Sequence, residues 1–390
     1  MRNNNGRLIA VVASVAVAAV AIGATLAYRQ GPQTAKANVA PLTSSPSTTP
    51  TPSATPSAPT PPPSATPSKP QSTGTESTVN VNKLPEGRAP QVPYLIGREV
   101  RSGARALATI PGKGSVLSVG QIQGAVLAVV MYEPDGDGTE LLKLGSGDTV
   151  RRTRDVSSLV TTSDQTAAAY AASRLSSLGV TNKGGTVYAE SADSVQSLKL
   201  PNSWEVQVLA YTDGKVYYRA SDTESGPWKL YSWVPTTAKP ELIKAVISPT
   251  AVSANGSTAA AMPVRNDNGT CSNVVQVPSG TQLFRTCEFQ VRGFTPNGAT
   301  AYGDEDNAEG FCSGISAAFE ANSGKVLHKW KGCFQEMSAE DDQHVLVVAY
   351  ASAVGQTEKV KTAIIRCTIA TGACERATPI GTDTQLVIGS

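Results

Sequence analysis

Histidine is close to absent from this chain: His328 and His344 are the two among 390 residues. Proton transfer near neutral pH and much metal ligation lean on imidazole, so both have few donors here. Charge is sparse and balanced, with 33 basic against 31 acidic residues and a net charge of +2. Nucleic-acid binding needs a basic stripe, and the sequence holds none. A G-x-S-x-G nucleophile elbow, an H-E-x-x-H zinc motif and a glycine-rich phosphate loop are also missing. Aromatic residues make up 5% of the chain, and the first cysteine stands at position 271. With no cysteine near the end of a leader, a lipoprotein is excluded.

What is present begins with an apolar run. Arg2 and Arg7 precede Leu8 to Tyr28, a stretch without a charged residue and rich in Ala and Val. At 1.5 Å rise per residue such a helix spans roughly 30 Å, the thickness of a bilayer core. The positive flank predicts an inside N-terminus, so the expectation is a single-pass cell-membrane protein with its bulk outside. The run is long for a signal core, which favours an anchor at residues 8–28 and a cytoplasmic tail of residues 1–7. Secretion after signal cleavage is the alternative, and "TAKAN" (Thr34 to Asn38) offers small residues at suitable spacing.

Residues 29–88 read as a disordered stalk of Pro, Ser, Thr and Ala, as in "TPSATPSAPTPPPSATPSKP". Almost nothing there can be buried, and proline favours extended polyproline II. About fifty such residues reach on the order of 150 Å. The hydroxyl density also permits O-glycosylation.

From residue 89 to 390 the pattern changes to short apolar runs punctuated by turns. "FTPNGATAYG" (Phe294 to Gly303) has relatives in "VSANGSTAAAM" (Val252 to Met262), "TTSDQTAAAYA" (Thr161 to Ala171) and "AYTDGKVYYRA" (Ala210 to Ala220). "GQIQGAVLAVV" (Gly120 to Val130) and "SAEDDQHVLVV" (Ser338 to Val348) are looser copies. Turn residues Gly124, Gln165, Gly214, Gly256, Gly298 and Gln343 stand 41, 49, 42, 42 and 45 residues apart, and Thr384 follows after 41. A repeat of 40–45 residues made of short strands is the pattern of a β-propeller blade. Each copy continues into a second hairpin, so one unit holds four strands. The expected fold is therefore all-β, a propeller most simply of seven four-stranded blades, with six or eight also compatible. An open sandwich of unrelated hairpins has no reason to keep a 42-residue period.

The chain ends fit closure. "PYLIGREVRSGARALATI" (Pro93 to Ile110) lacks an inner strand pair before it, and the last unit stops at "TQLVIGS" with inner-strand material alone. One blade built from both ends removes exposed sheet edges. Six cysteines suit an oxidising compartment and allow fifteen pairings. The repeat selects among them, because Cys271 with Cys287, Cys312 with Cys333, and Cys367 with Cys374 each bracket one second hairpin. Cross-strand neighbours reach the roughly 5.5 Å Cα separation that a disulfide requires.

The Ser/Thr-x-Asn/Asp-Gly turn followed by small apolar residues resembles WD40-like or TolB-type propeller repeats over about residues 90–390. The anchor–stalk–propeller layout is similar to exported propeller proteins of high-GC Gram-positive bacteria (actinobacteria). The Gly-His and Trp-Asp pairs of WD40 blades are absent. The resemblance implies a ring-shaped interaction scaffold and assigns no chemistry, since propellers host unrelated functions.

Three stretches stand out as candidate sites. "EPDGDGTE" (Glu133 to Glu140) begins like a calcium loop but lacks its closing glutamate. "GDEDNAEG" (Gly303 to Gly310) gathers Asp304, Glu305, Asp306 and Glu309 in a loop after an inner strand. Asp304, Asp306 and Glu309 are the candidate metal ligands, with calcium as the ion; solvated loop carboxylates give the same composition. Tyr217, Tyr218, Trp228, Tyr231 and Trp233 form the densest aromatic group, and strand alternation puts Tyr231 and Trp233 on one face. They read as packing between blades or as a stacking surface for a sugar or peptide. Asn255 and Asn268 head N-x-S/T sequences, although a tight turn explains Asn255 without any sugar.

Two functions follow. The first is a non-enzymatic scaffold outside the membrane that engages a protein, peptide or cell-wall glycan at a propeller face and needs no cofactor. The second is an extracytoplasmic hydrolase or lyase with its site at the channel mouth, which convergent carboxylates or a metal would favour.

Overall fold

The computed structural model describes residues 74–390 except 133–137, 146–148, 176–180, 193, 264, 267–268, 306–311 and 352–358. Among the described residues the regular structure is β-strand, with one 3-10 turn at Val81–Lys83.

The strands fall into antiparallel sheets that follow one another along the chain. Four sheets each use four strands in chain order, within residues 116–154, 156–200, 204–247 and 249–286. In the last of them a separate two-stranded pair, Arg265–Asn266 with Gly269–Thr270, stands between the second and third strands. Each keeps its sequence order from inner to outer edge. A fifth four-stranded sheet joins the chain ends: Leu386–Ile388 pairs antiparallel with Tyr94–Ile96, which continues to Glu99–Ser102 and Arg105–Thr109. The C-terminus was expected to supply two strands and supplies one. Just before it, Gly381–Thr382 pairs back onto Lys361–Thr368.

Residues 289–376 form the core of a larger sheet, because the 14-residue strand Val326–Ala339 has two sets of neighbours. Its first half pairs with Ser313–Glu320 (Ala318 opposite His328) and its second with His344–Tyr350 (Met337 opposite Val347). The other sheets have a connecting segment at this point.

Inner strands are linked around a ring. Ser390 N–H donates to Val119 O (3.2 Å), Val208 N–H to Ser158 Oγ (3.0 Å), Thr250 Oγ1 to Val291 O (3.3 Å) and Ile388 N–H to Glu336 Oε2 (3.2 Å). Four-stranded antiparallel sheets, packed face to face in sequence and shut by the two ends, make a β-propeller. Sheet-to-sheet packing also explains the second strand of each unit. It is covered on both faces, so its residues run continuously apolar instead of alternating. Val126–Val130, Ala168–Ala171, Ala259–Ala261 and Val345–Ala349 are all buried.

The recurring turn now has a physical cause. In Thr295-Pro-Asn-Gly, Thr295 Oγ1 donates to Asn297 Oδ1 (2.9 Å) and accepts from Thr300 N–H (3.1 Å). Asn297 Oδ1 also accepts Ala299 N–H at 2.8 Å, and Gly298 takes a φ of 71° that suits glycine. Ser253, Asn255 and Ser257 repeat the arrangement, as do Thr162, Asp164 and Thr166. Asn255 Oδ1 thus serves the turn, as its sequence suggested; Asn268 lies outside the described residues.

All three expected disulfides are present: Cys271–Cys287, Cys312–Cys333 and Cys367–Cys374, with Cα separations of 4.1, 5.2 and 4.1 Å. Residues 74–88, whose composition groups them with the stalk, lie along the propeller. Thr75–Thr78 adds in parallel to Val326–Ala339, Val81 is buried in the core, and Gly87 N–H donates to Arg376 O at 2.9 Å.

The single-pass membrane location is corrected. A span needs about twenty apolar residues in helix, and among the described residues no helix is long and apolar enough to cross a membrane. The run Leu8 to Tyr28 lies outside the described residues.

Candidate functional site

Antiparallel order sends the connections to two opposite ends of each sheet. First-to-second-strand turns are short and bond to themselves, as above. Second-to-third-strand connections, such as Ser221 to Trp228, emerge at the other end. Loops of this kind are where binding groups concentrate.

The aromatic group of the sheet within residues 204–247 divides between these environments. Tyr218 and Trp233 are buried, and Tyr218 stacks on Tyr231 at 5.2 Å between ring centroids. Tyr218, Tyr231 and Trp233 pack toward the preceding sheet, while Tyr217 packs toward the next. Tyr231 and Trp233 therefore share a face, and four of the five residues serve packing between sheets. Trp228 differs. It opens the third strand at the loop end and is half-buried.

Around Trp228 lies a cluster that strand alternation does not reveal. The register of Trp204–Thr212 against Lys215–Ser221 slips between Trp204 and Gln207, and Glu205 takes a φ of 48°. A β-bulge of this kind re-aims a side chain, and here Glu205 Oε2 accepts Trp228 Nε1–H at 2.9 Å. The Arg219 guanidinium sits 5.2 Å from the Trp228 ring centroid, and its Nη1 donates to Pro249 O at 3.2 Å. Its Nε is sealed from solvent and, among the described residues, has no hydrogen-bond partner. Burial raises the Glu205 carboxyl, with Trp228 and Arg219 opposing it, and burial lowers Arg219, with Glu205 opposing. One indole thus fixes a carboxyl by its edge and a guanidinium by its face, and no ion pair within 4 Å joins the two. Sequence reasoning found Trp228 but missed Glu205 and Arg219. A bulge carries no compositional mark, and both residues fit ordinary strand positions.

The acidic loop is described only in part. Asp304 lies within the strand Thr300–Glu305, buried, with Ser316 Oγ donating to its Oδ1 (2.8 Å) and Arg292 Nε near its Oδ2 (3.4 Å). Burial raises its carboxyl against the pull of Arg292. Asp306, Glu309 and the "EPDGD" residues 133–137 lie outside the described residues.

The two histidines are placed apart and differently. His344 Nδ1 meets Asp341 at 2.9 Å, beside Glu340. Glu340 bonds Arg366 and the Gln91 N–H, while Asp341 accepts the N–H groups of Gln343 and His344. These contacts make the three residues a turn network. His328 stands in the first half of the strand Val326–Ala339, with Nε2 2.9 Å from Ser77 Oγ. Its Nδ1 is buried without a partner among the described residues, so no carboxylate completes a triad there.

No protein-family model and no curated protein sequence matches the chain. Among solved structures it is similar to a prolyl endopeptidase (14% identity, TM-score 0.49), with 78% of this chain covering 50% of that one. It is also similar to a TolB-type structure from Agrobacterium tumefaciens (12%, TM-score 0.39; 76% and 91% covered). A third is the β-propeller domain of the Trilobed protease from Pyrococcus furiosus (9%, TM-score 0.43; 69% and 99% covered). The chain spans half the length of the prolyl endopeptidase it matches.

Proposed function

We propose that the chain is a non-enzymatic binding module, a seven-bladed propeller that engages a protein or peptide through its loop-bearing face. The count rests on five four-stranded sheets plus two blades that share the strand Val326–Ala339. Three disulfides with no free cysteine suit an oxidising compartment.

The observation that carries the binding reading is the Glu205–Trp228–Arg219 cluster. Buried polar atoms without partners and a non-glycine residue at positive φ both cost stability, and such features gather where a site needs them. The turn-bearing face has the opposite character, since its Ser, Thr, Asn and Asp groups satisfy one another. Cross-linking of the full chain in its producing cells, with the linked residues mapped by mass spectrometry, tests the reading. A recurring partner linked through the loop-bearing end of the blades is expected. Links confined to the turn-bearing end would overturn it.

A further inference from the structure

We propose that a cavity between the sheet joining the chain ends and the sheet of residues 116–154 takes an acidic side chain of the partner. This inference rests on the binding reading above and names the chemistry of one contact. The cavity holds about 450 Å³, within the range of small-ligand sites, and Arg98, Met131, Tyr132, Glu140, Arg152 and Arg154 line it. Tyr132 follows the second strand of its sheet, and Arg98 lies between the second and third strands of the other. The cavity therefore opens at the loop-bearing end. Its walls are fixed by the chain's own bonds. Arg98 donates from Nε to Ile110 O (3.1 Å) and from Nη2 to Pro111 O (2.7 Å). Glu140 is 5% exposed and accepts Arg152 Nη1.

The strand Val150–Arg154 supplies the cations, and its alternation sorts them. Arg151 faces the sheet of residues 156–200, where the buried Glu190 accepts its Nη2. Arg152 and Arg154 face the cavity. In the ladder Glu140 stands directly opposite Arg154, yet its carboxyl bonds diagonally to Arg152. Arg154 is exposed and, among the described residues, forms no ion pair. Its guanidinium carbon lies 4.8 Å from the Tyr132 ring centroid, and Nη2 donates to Tyr132 OH at 2.8 Å. Ring and hydroxyl hold the fork in place before a ligand arrives, which reduces the ordering cost of binding. The other N–H groups of the fork remain to donate to an oxyanion, the partner a guanidinium binds most strongly. Arg152, its side chain 52% exposed, adds a second cation on the same face. The binding reading supplies a protein or peptide, and the anion that unmodified side chains carry is a carboxylate.

The test follows the methyl resonance of Met131 in the full chain, one of four methionines and assigned with Met131→Leu. The probes are acetyl-Gly-Glu-Gly-Glu-Gly-amide, the same peptide with Gln in place of Glu, and inorganic phosphate. A saturable shift by the Glu peptide is expected, at least tenfold weaker for the Gln peptide and lost in Arg154→Gln. Tyr132→Leu should weaken it several-fold. The methyl of Met337, buried in another part of the core, should stay in place. Equal shifts by the two peptides, no shift by either, equal movement of Met337, or tighter binding of phosphate would overturn the carboxylate site. The comparison of peptides needs no variant, so it decides even if Arg154→Gln does not fold. If the peptides fail while cross-links still fall on the loop-bearing face, this site falls and the binding face stands.

Discussion

The main-chain N–H of Asn297 donates to Asp342 Oδ1 at 2.8 Å, tying the first turn of one unit to that of the next. Similar links run from Gln123 N–H to Gln165 O (3.0 Å) and from Thr212 Oγ1 to Ala254 O. The repeated turn therefore satisfies its own backbone and also couples neighbouring sheets. Asn297→Ala removes the acceptor for both Thr295 Oγ1 and Ala299 N–H and should cost about 1–2 kcal/mol. Asp342→Ala loses one exposed bond and should cost about 0.5–1 kcal/mol. Urea denaturation of both variants checks the order.

Stability should carry a signature of Glu336. Burial raises its carboxyl from 4.5 to about 7, opposed by the N–H of Ile388 on the closing strand. A folded-state pKa above the unfolded one means the native state binds more protons between the two values. This contribution is fully present below pH 4.5 and is lost as pH rises through about 7. Unfolding free energy measured against pH should fall over that window more steeply in the parent than in Glu336→Gln. Identical slopes would contradict the placement.

Glu190 should act in the opposite sense. It is 1% exposed and accepts bonds from Lys143 Nζ (2.6 Å), Tyr170 OH (2.9 Å) and Arg151. Burial pushes its carboxyl up, but Lys143 and Arg151 outweigh that and leave it below its usual range. Its contribution is present above the unfolded pKa and lost as pH falls through the folded one. Glu190→Gln should destabilise by about 1–2 kcal/mol at pH 7, because it loses charge-assisted bonds to Lys143 and Arg151, whose own charges keep contact with solvent. The parent and variant curves should converge in acid.

The disulfides should rank by the length of chain they close. Separations of 21, 16 and 7 residues belong to Cys312–Cys333, Cys271–Cys287 and Cys367–Cys374. Loop-closure entropy makes the first two worth about 3 kcal/mol and the last less. Paired Cys→Ser variants compared by thermal unfolding test the order, and the largest loss from Cys367–Cys374 would contradict it.

Much of this fold was legible in the sequence because its signals are local. A Ser/Thr-x-Asn/Asp-Gly turn declares itself within five residues, and cysteines bracketing a hairpin declare their pairing once the repeat is seen. Features that depend on distant partners were not legible. Thr75–Thr78 resembles the polar stretch before it, and only its register with His328 to Lys331 makes it a strand. That one strand, Val326–Ala339, runs unbroken from one repeat into the next was not legible either, because the turns mark each repeat and not the chain that joins them. In the candidate site Trp228 was visible as a member of an aromatic cluster. Arg219 and Glu205 were not, since a slip in register brings Glu205 to the indole.

Binding through the loop-bearing face is tested most directly at the two ends of one strand. Lys215–Ser221 begins at the turn containing Asp213 and ends at the loop containing Glu224, and both residues are exposed. A photo-reactive amino acid placed at either position in the full chain, irradiated in producing cells, reports which end meets a partner. The expected result is a discrete cross-linked species from position 224, reduced by Arg219→Gln, with none from 213. Equal yield from both positions, or a species from 213 alone, would contradict it.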